Sequence, residues 1–218
     1  MSVKKLGVAM GVAGAIGLGL VAEAQAQQKE GPWMVRVRAV HLGLDTSNSA
    51  GQAPLAALPA DSINVNDKTI PEVDISYFFT PNIAAELILT VPQKHKVAIN
   101  ALGIGPVGTF KHLPPTLTLQ YHFAPTATLR PYIGAGINYT KISAVNMSAG
   151  PGLTLGLEDN STGLALQAGL DYKISEKMFL NLDVKKIYIQ SDVNLNGAKI
   201  STLKLDPLAF GVGVGWKF

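Results

Sequence analysis

Charged residues recur at every second position along several stretches of the chain. Arg36 and Arg38 flank Val37, Glu72 and Asp74 flank Val73, and Asp183 and Lys185 flank Val184. Glu86, Arg130, Asp171 and Lys217 stand in similar alternating contexts. A period of two gathers such side chains on one face of an extended strand and leaves apolar residues on the other. If that charged face is enclosed, its carboxylates, guanidinium groups and ammonium groups must pair, because an unpaired charge at low dielectric is costly. The expected chemistry is electrostatic: ion pairs that fix strand register and plug an interior against bulk solute, with ion-selective conduction as the alternative.

Catalytic chemistry has weaker support. A nucleophile needs a base within reach, and His41, His95, His112 and His122 stand in no Ser/His/acid arrangement. Nor do they show the spacing of a metal site. The lipid-modifying activities that some small membrane barrels carry are therefore not expected, nor is a metal or cofactor. His95 and His112 can meet above the strands, where they read as a surface pair.

The elements that position the charges follow from the same alternation. Strands are expected over 33–41, 72–79, 83–91, 112–123, 130–141, 162–173, 178–189 and 205–218. In the last of these, Leu208, Phe210, Val212, Val214, Trp216 and Phe218 oppose Ala209, Gly211, Gly213, Gly215 and Lys217, so bulk is low on the inner face. The phase blurs at Lys185-Lys186, where one lysine would face outward unless a bulge or the membrane edge intervenes. Short turns containing Thr80-Pro81-Asn82, Ala124-Pro125-Thr126 and Ser175-Glu176-Lys177 alternate with long connections over 42–69, 92–111, 142–161 and 192–204. The 92–111 connection has room for a short helix or a folded lid, and Asn196-Gly197 reads as a hairpin tip.

Eight antiparallel strands with alternating short and long connections describe an all-β, transmembrane β-barrel, with short periplasmic turns and long extracellular loops. The aromatics agree. Trp33, Tyr77, Phe79, Tyr121, Phe123, Tyr172, Trp216 and Phe218 fall at one set of strand ends, as the interfacial girdle of such a barrel requires. Tyr139 and Tyr188 fall at the other rim. A soluble sandwich has no reason to sort aromatics in this way.

The amino terminus fits an exported protein. Lys4 and Lys5 precede an apolar run that ends at Ala24-Gln25-Ala26, the pattern of a cleavable signal peptide over 1–26, leaving 27–218 as the barrel. No cysteine is present to staple the fold. Removing Lys4, Lys5 and Glu23 lowers the formal charge from +3 to +2, and no basic stripe suggests nucleic acid.

The segments PEVDISYFFTPNIAAELILTVPQKHKV, KHLPPTLTLQYHF, LRPYIGAGINYT and LDPLAFGVGVGWKF, in this order, resemble the OmpW family of small outer-membrane proteins, which includes AlkL-type hydrocarbon importers. The resemblance spans the chain from Trp33 to Phe218. It implies an eight-stranded barrel with a narrow hydrophobic passage through which small apolar solutes enter and leave sideways into the membrane; the expected assembly is a monomer in the Gram-negative outer membrane, surrounded by lipid. It also implies that the terminal Phe218 is a signal for barrel-assembly machinery. The loop residues Leu55, Leu58, Ile63, Val97, Ile99, Leu102, Ile104 and Val107 are the expected lining of the mouth, since apolar ligands are held by aliphatic side chains. Pro92, Pro114 and Pro115, at strand ends, donate no ladder hydrogen bonds and are expected to open the wall locally. An adhesin-type or structural barrel is the competing class.

Overall fold

The computed structural model describes residues 31–218, so the leader expected over 1–26 lies outside the described residues. Its elements are all strands: β1 (Trp33–Gly43), β2 (Ser47–Asn48), β3 (Ile63–Val65), β4 (Lys68–Phe78), β5 (Ile83–Thr90), β6 (Gln93–Ile99), β7 (Gly105–Leu113), β8 (Thr116–His122), β9 (Leu129–Gly150), β10 (Leu153–Leu157), β11 (Asn160–Lys173), β12 (Met178–Ile187), β13 (Gln190–Leu195), β14 (Ala198–Lys204) and β15 (Leu208–Lys217).

Eight of them close a barrel. The ladder runs β1-β4-β5-β8-β9-β11-β12-β15 and returns to β1, with every neighbour antiparallel. Closure leaves no free edge, so every strand in the ring pairs on both sides. The alternation sets which side chain goes where. On β1, Met34, Arg36, Arg38 and Val40 are buried in the lumen while Trp33 and Val37 are exposed outside. The same holds for Leu117, Leu119, Ile133, Ile137, Leu182 and Val212, which form an apolar outer band.

Two lumen glycines show why bulk is excluded. A Cβ on Gly213 would lie 2.8 Å from Arg38 Cγ and 2.1 Å from the Val37 carbonyl oxygen. One on Gly169 would run into the Tyr132 ring. The arginine stems and this tyrosine lie across the glycines, filling an interior that eight strands leave only just wide enough for side chains.

The long connections form a second storey. β6 pairs with β7 and β3, β7 with the far half of β9, β9 with β10, β10 with β13, β13 with β14, and β14 with β2. The short helix or lid expected over 92–111 is therefore a β-hairpin, because Gln93, His95, Val97 and Ile99 alternate inward against Lys94 and Lys96 outward. Strand β9 continues nine residues past the expected end at 141. Ala144 at φ 49° marks the change of phase: Thr140 and Ile142 face inward before it, and Met147 after it. Lys185 points into the lumen, while Lys186 sits at the rim and donates to the Asp206 carbonyl at 2.6 Å, which resolves the blurred phase. Asn196 and Gly197 form the expected tip, with φ of 48° and 87°.

Candidate functional site: an apolar chamber above an ion-pair plug

The plug occupies the barrel's middle. Arg36 reaches Glu86 at 2.6 Å and grips Asp171 with two nitrogens, at 2.7 and 3.2 Å. Arg38 lies 2.6 Å from Asp74, 2.9 Å from Asp183 and 3.2 Å from Glu86. Lys185 joins Glu72 at 2.6 Å and Asp183 at 2.9 Å. Gln167 donates to both Glu86 and Asp183, and Tyr132 donates to Asp183. Nearer the turn end, the Arg130 and Lys217 cations stand over the rings of Phe179 and Phe78. All ten charges singled out from the sequence are thus buried in the lumen, and five positive groups face five negative ones. A balanced, cross-linked set of this kind satisfies its charges within the lumen, where an unpaired one would be costly.

Above the plug the interior changes character. Ile63, Val97, Ile99, Val107, Met147, Leu155, Leu157, Val193 and Leu203 surround a small, closely packed cavity that is partly open to solvent. Of the mouth residues expected from sequence, Ile63, Val97, Ile99 and Val107 line this cavity, Leu58 is buried in the same apolar cluster, and Leu55 and Ile104 pack against it. Leu102 does not take part. It sits at the β6–β7 tip at φ 56° and is 52% exposed, so it is corrected from lining to surface. Met147, Leu155, Leu157, Val193 and Leu203 belong to the lining although they fall within the long connections expected over 142–161 and 192–204. The signal was present in Leu155-Gly156-Leu157 and Val193-Asn194-Leu195, which alternate but are too short to stand out.

A histidine layer lies beneath the apolar lining on β6 and β7. His95 and His112 stack at 4.7 Å between ring centroids, with Phe110 beside them, and both are almost fully buried. They are an internal pair, not the surface pair expected, because both project inward from paired strands. His95 Nδ1 meets the Asn66 carbonyl at 2.8 Å. Burial, helped by the neighbouring His95, depresses the His112 pKa to about 3, and burial also lowers that of His95. An unfolded imidazole protonates near pH 6.5, so the neutral His112 contributes stability that is complete above that pH and is lost as pH falls toward 3. Hydrogen exchange of the β6–β7 amides is therefore expected to quicken between pH 6.5 and 4, and His112→Phe should flatten that dependence.

The wall next to this layer is incomplete. The β5–β8 ladder ends at Ile88↔Thr116, and the β6–β7 ladder begins at Gln93↔His112. Between them, residues 89–92 and 113–115 form no pair with one another. Pro92, Pro114 and Pro115 all fall in this interval and can supply no N–H to close it. The buried Gln93 amide folds back on one side of it, donating to Thr90 Oγ1 at 2.7 Å and to the Val91 carbonyl of its own segment. Val91, on the outer side, is 54% exposed.

The aromatics flank the apolar band. Trp33 meets Tyr77 edge to face at 4.8 Å, Tyr77 meets Phe79 at 5.2 Å, and Tyr121 meets Phe123 at 5.2 Å, all at the turn end. Tyr172, Trp216 and Phe218 are exposed in the same belt. Phe218 exchanges backbone hydrogen bonds with Trp33, which joins the two chain ends of the barrel.

Comparison with known proteins places this architecture. The sequence profile described as the OmpW family matches residues 29–218. The outer-membrane protein y4mB of Sinorhizobium fredii is 40% identical over 98% of this chain and 94% of its own length. Outer membrane protein W of Vibrio cholerae is 36% identical over 71% of this chain and 76% of its own. Among solved structures, OprG from Pseudomonas aeruginosa superposes with a TM-score of 0.77 at 27% identity, covering 88% of this chain and 97% of that one. The outer membrane protein AlkL in lipid bilayers gives a TM-score of 0.65 at 26% identity, covering 87% and 90%. With its girdles, short turns and closed ladder, the chain belongs to the OmpW family and is an eight-stranded β-barrel of the Gram-negative outer membrane.

Proposed function

We propose that the barrel takes small hydrophobic molecules from the outside into the apolar chamber and releases them sideways through the gap beside Pro92, Pro114 and Pro115. The observation that carries this reading is the vertical order of the interior: an aliphatic cavity rests on a charge-balanced plug. An apolar solute that enters the cavity cannot continue down the lumen without displacing paired charges at low dielectric, which is prohibitive. The nearest break in the ladder then offers a shorter way to lipid. Among relatives, two proteins 28% identical to this chain are called dibenzothiophene metabolism operon proteins, in Pseudomonas aeruginosa and Pseudomonas sp., which agrees with an apolar cargo. The reading makes the chain a passive conduit and not an enzyme.

The sideways step is tested by giving the wall back its donors. Pro114→Val with Pro115→Val supplies two amides that the gap can use. Uptake of a radiolabelled alkane into liposomes containing this variant is expected to fall about tenfold while the barrel still folds. Undiminished uptake would remove the gap from the route.

A further inference from the structure

Opposite the chamber lining, the outer face of the second storey carries lysines. Lys94 and Lys96 on β6, Lys111 on β7 and Lys141 on β9 are all exposed. Lys94 and Lys111 stand directly opposite one another across the β6–β7 ladder. Lys141 faces Leu113, two residues along the strand from Lys111. None of the four holds an ion pair among the described residues, whereas Lys185, Lys186 and Lys199 each reach a carboxylate. Like charges facing each other across a strand pair are destabilising, so this arrangement calls for a counter-charge from outside the chain.

The height of the patch indicates which counter-charge is available. Tyr139 is 51% exposed at the outer rim, and Lys141 follows two residues later on the same face. At about 3.3 Å of rise per residue, that puts its Cα roughly 7 Å further out, just past the level where interfacial tyrosines sit. On the neighbouring strands, the outward apolar face ends at Val91, and Lys94 follows. That height matches the level expected for the phosphates of the surrounding leaflet, next to the wall gap.

We propose that Lys94, Lys96, Lys111 and Lys141 form a docking surface for a phosphorylated glycolipid of the outer leaflet, with the lipid A type of headgroup, two phosphates on a sugar pair, as its occupant. A paired, two-phosphate anion matches a cluster of four cations better than a singly charged phospholipid does, and ammonium groups bind phosphate as point charges. This inference does not depend on hydrophobic transport.

The test uses the purified protein in nanodiscs of zwitterionic lipid doped with bisphosphorylated lipid A, with dephosphorylated lipid A, or with phosphatidylglycerol at equal total charge. Lipid retained on the protein is counted by native mass spectrometry. Retention of bisphosphorylated lipid A is expected to exceed that of the other two about tenfold. The K94Q/K96Q/K111Q/K141Q variant should lose this preference, and the matching Lys→Arg variant should keep it. Should the fourfold variant fail to insert, K94Q/K111Q is expected to lower retention severalfold by itself. Equal retention by the Gln variants, or equal retention of phosphatidylglycerol by the unmodified protein, would overturn the proposal.

Discussion

Replacing Arg38 with Met is expected to lower the unfolding free energy of the barrel by about 3–5 kcal/mol, the range found when one partner of a buried ion pair is removed. Arg38 is 2% exposed and stands within 3.2 Å of carboxylate oxygens from three residues, Asp74, Asp183 and Glu86. Met keeps most of the stem that packs over Gly211 and Gly213, so the loss isolates the charge. Lys185 and Arg36 remain, but each already serves two acids. The surplus carboxylates must then take up protons or draw in water, and a wet plug should also pass small ions. Urea unfolding in lipid vesicles measures the first effect and conductance across planar bilayers the second. The contrast is Asp45→Ala, which breaks only the rim pair with Lys186 and leaves the Lys186 bond to the Asp206 carbonyl in place. The Asp45 side chain is 82% exposed, and an ion pair so open to solvent contributes under about 1 kcal/mol. Equal destabilisation by both variants would mean that the lumen charges do not act as a buried network.

The second large effect concerns the chamber. Val97→Asp or Leu155→Asp places a carboxylate in a wall made entirely of aliphatic side chains and Met147. Ionised, it draws water into the cavity, and an apolar solute must then displace that water to enter. Uptake of an alkane tracer is expected to drop at least about tenfold. Barrel insertion should survive, because both residues lie in the second storey, away from the lower ring of pairs. Leu102→Asp supplies the control: at a solvent-facing tip it should leave uptake unchanged. If Leu102→Asp were as damaging as Val97→Asp, the cavity would not be the site of admission.

The contrast between those two positions reflects what the sequence can express. In the lower ring, each strand separates lipid from lumen, so Arg36-Val37-Arg38 and Glu72-Val73-Asp74 advertise the inward face without ambiguity. The glycines of β15 carry the same message by size, since arginine stems fill the space above them. The second storey inverts the rule. Its interior is apolar and its exterior wet, its strands are short, and the bulge around Ala144 and the break in pairing within β6–β7 shift the phase. Val97 and Ile99 therefore look like the oily residues of a lid, and Leu102, three positions further, looks the same. Only the turn geometry at Leu102-Gly103 separates them. The histidine pair was obscure for another reason: His95 and His112 are 17 positions apart and meet only because the hairpin register brings Gln93 opposite His112.

The central claim is that apolar solutes enter from outside while the charged plug keeps the lumen shut. It is tested most directly by recording, on the same protein-loaded liposomes, the uptake of a radiolabelled alkane, of an aromatic, and of small charged tracers. The plug and chamber predict that alkane and aromatic accumulate in the bilayer at rates proportional to protein content while the charged tracers stay at the protein-free level. Charged tracers permeating as fast as the alkane would contradict it and identify an open, porin-like pore.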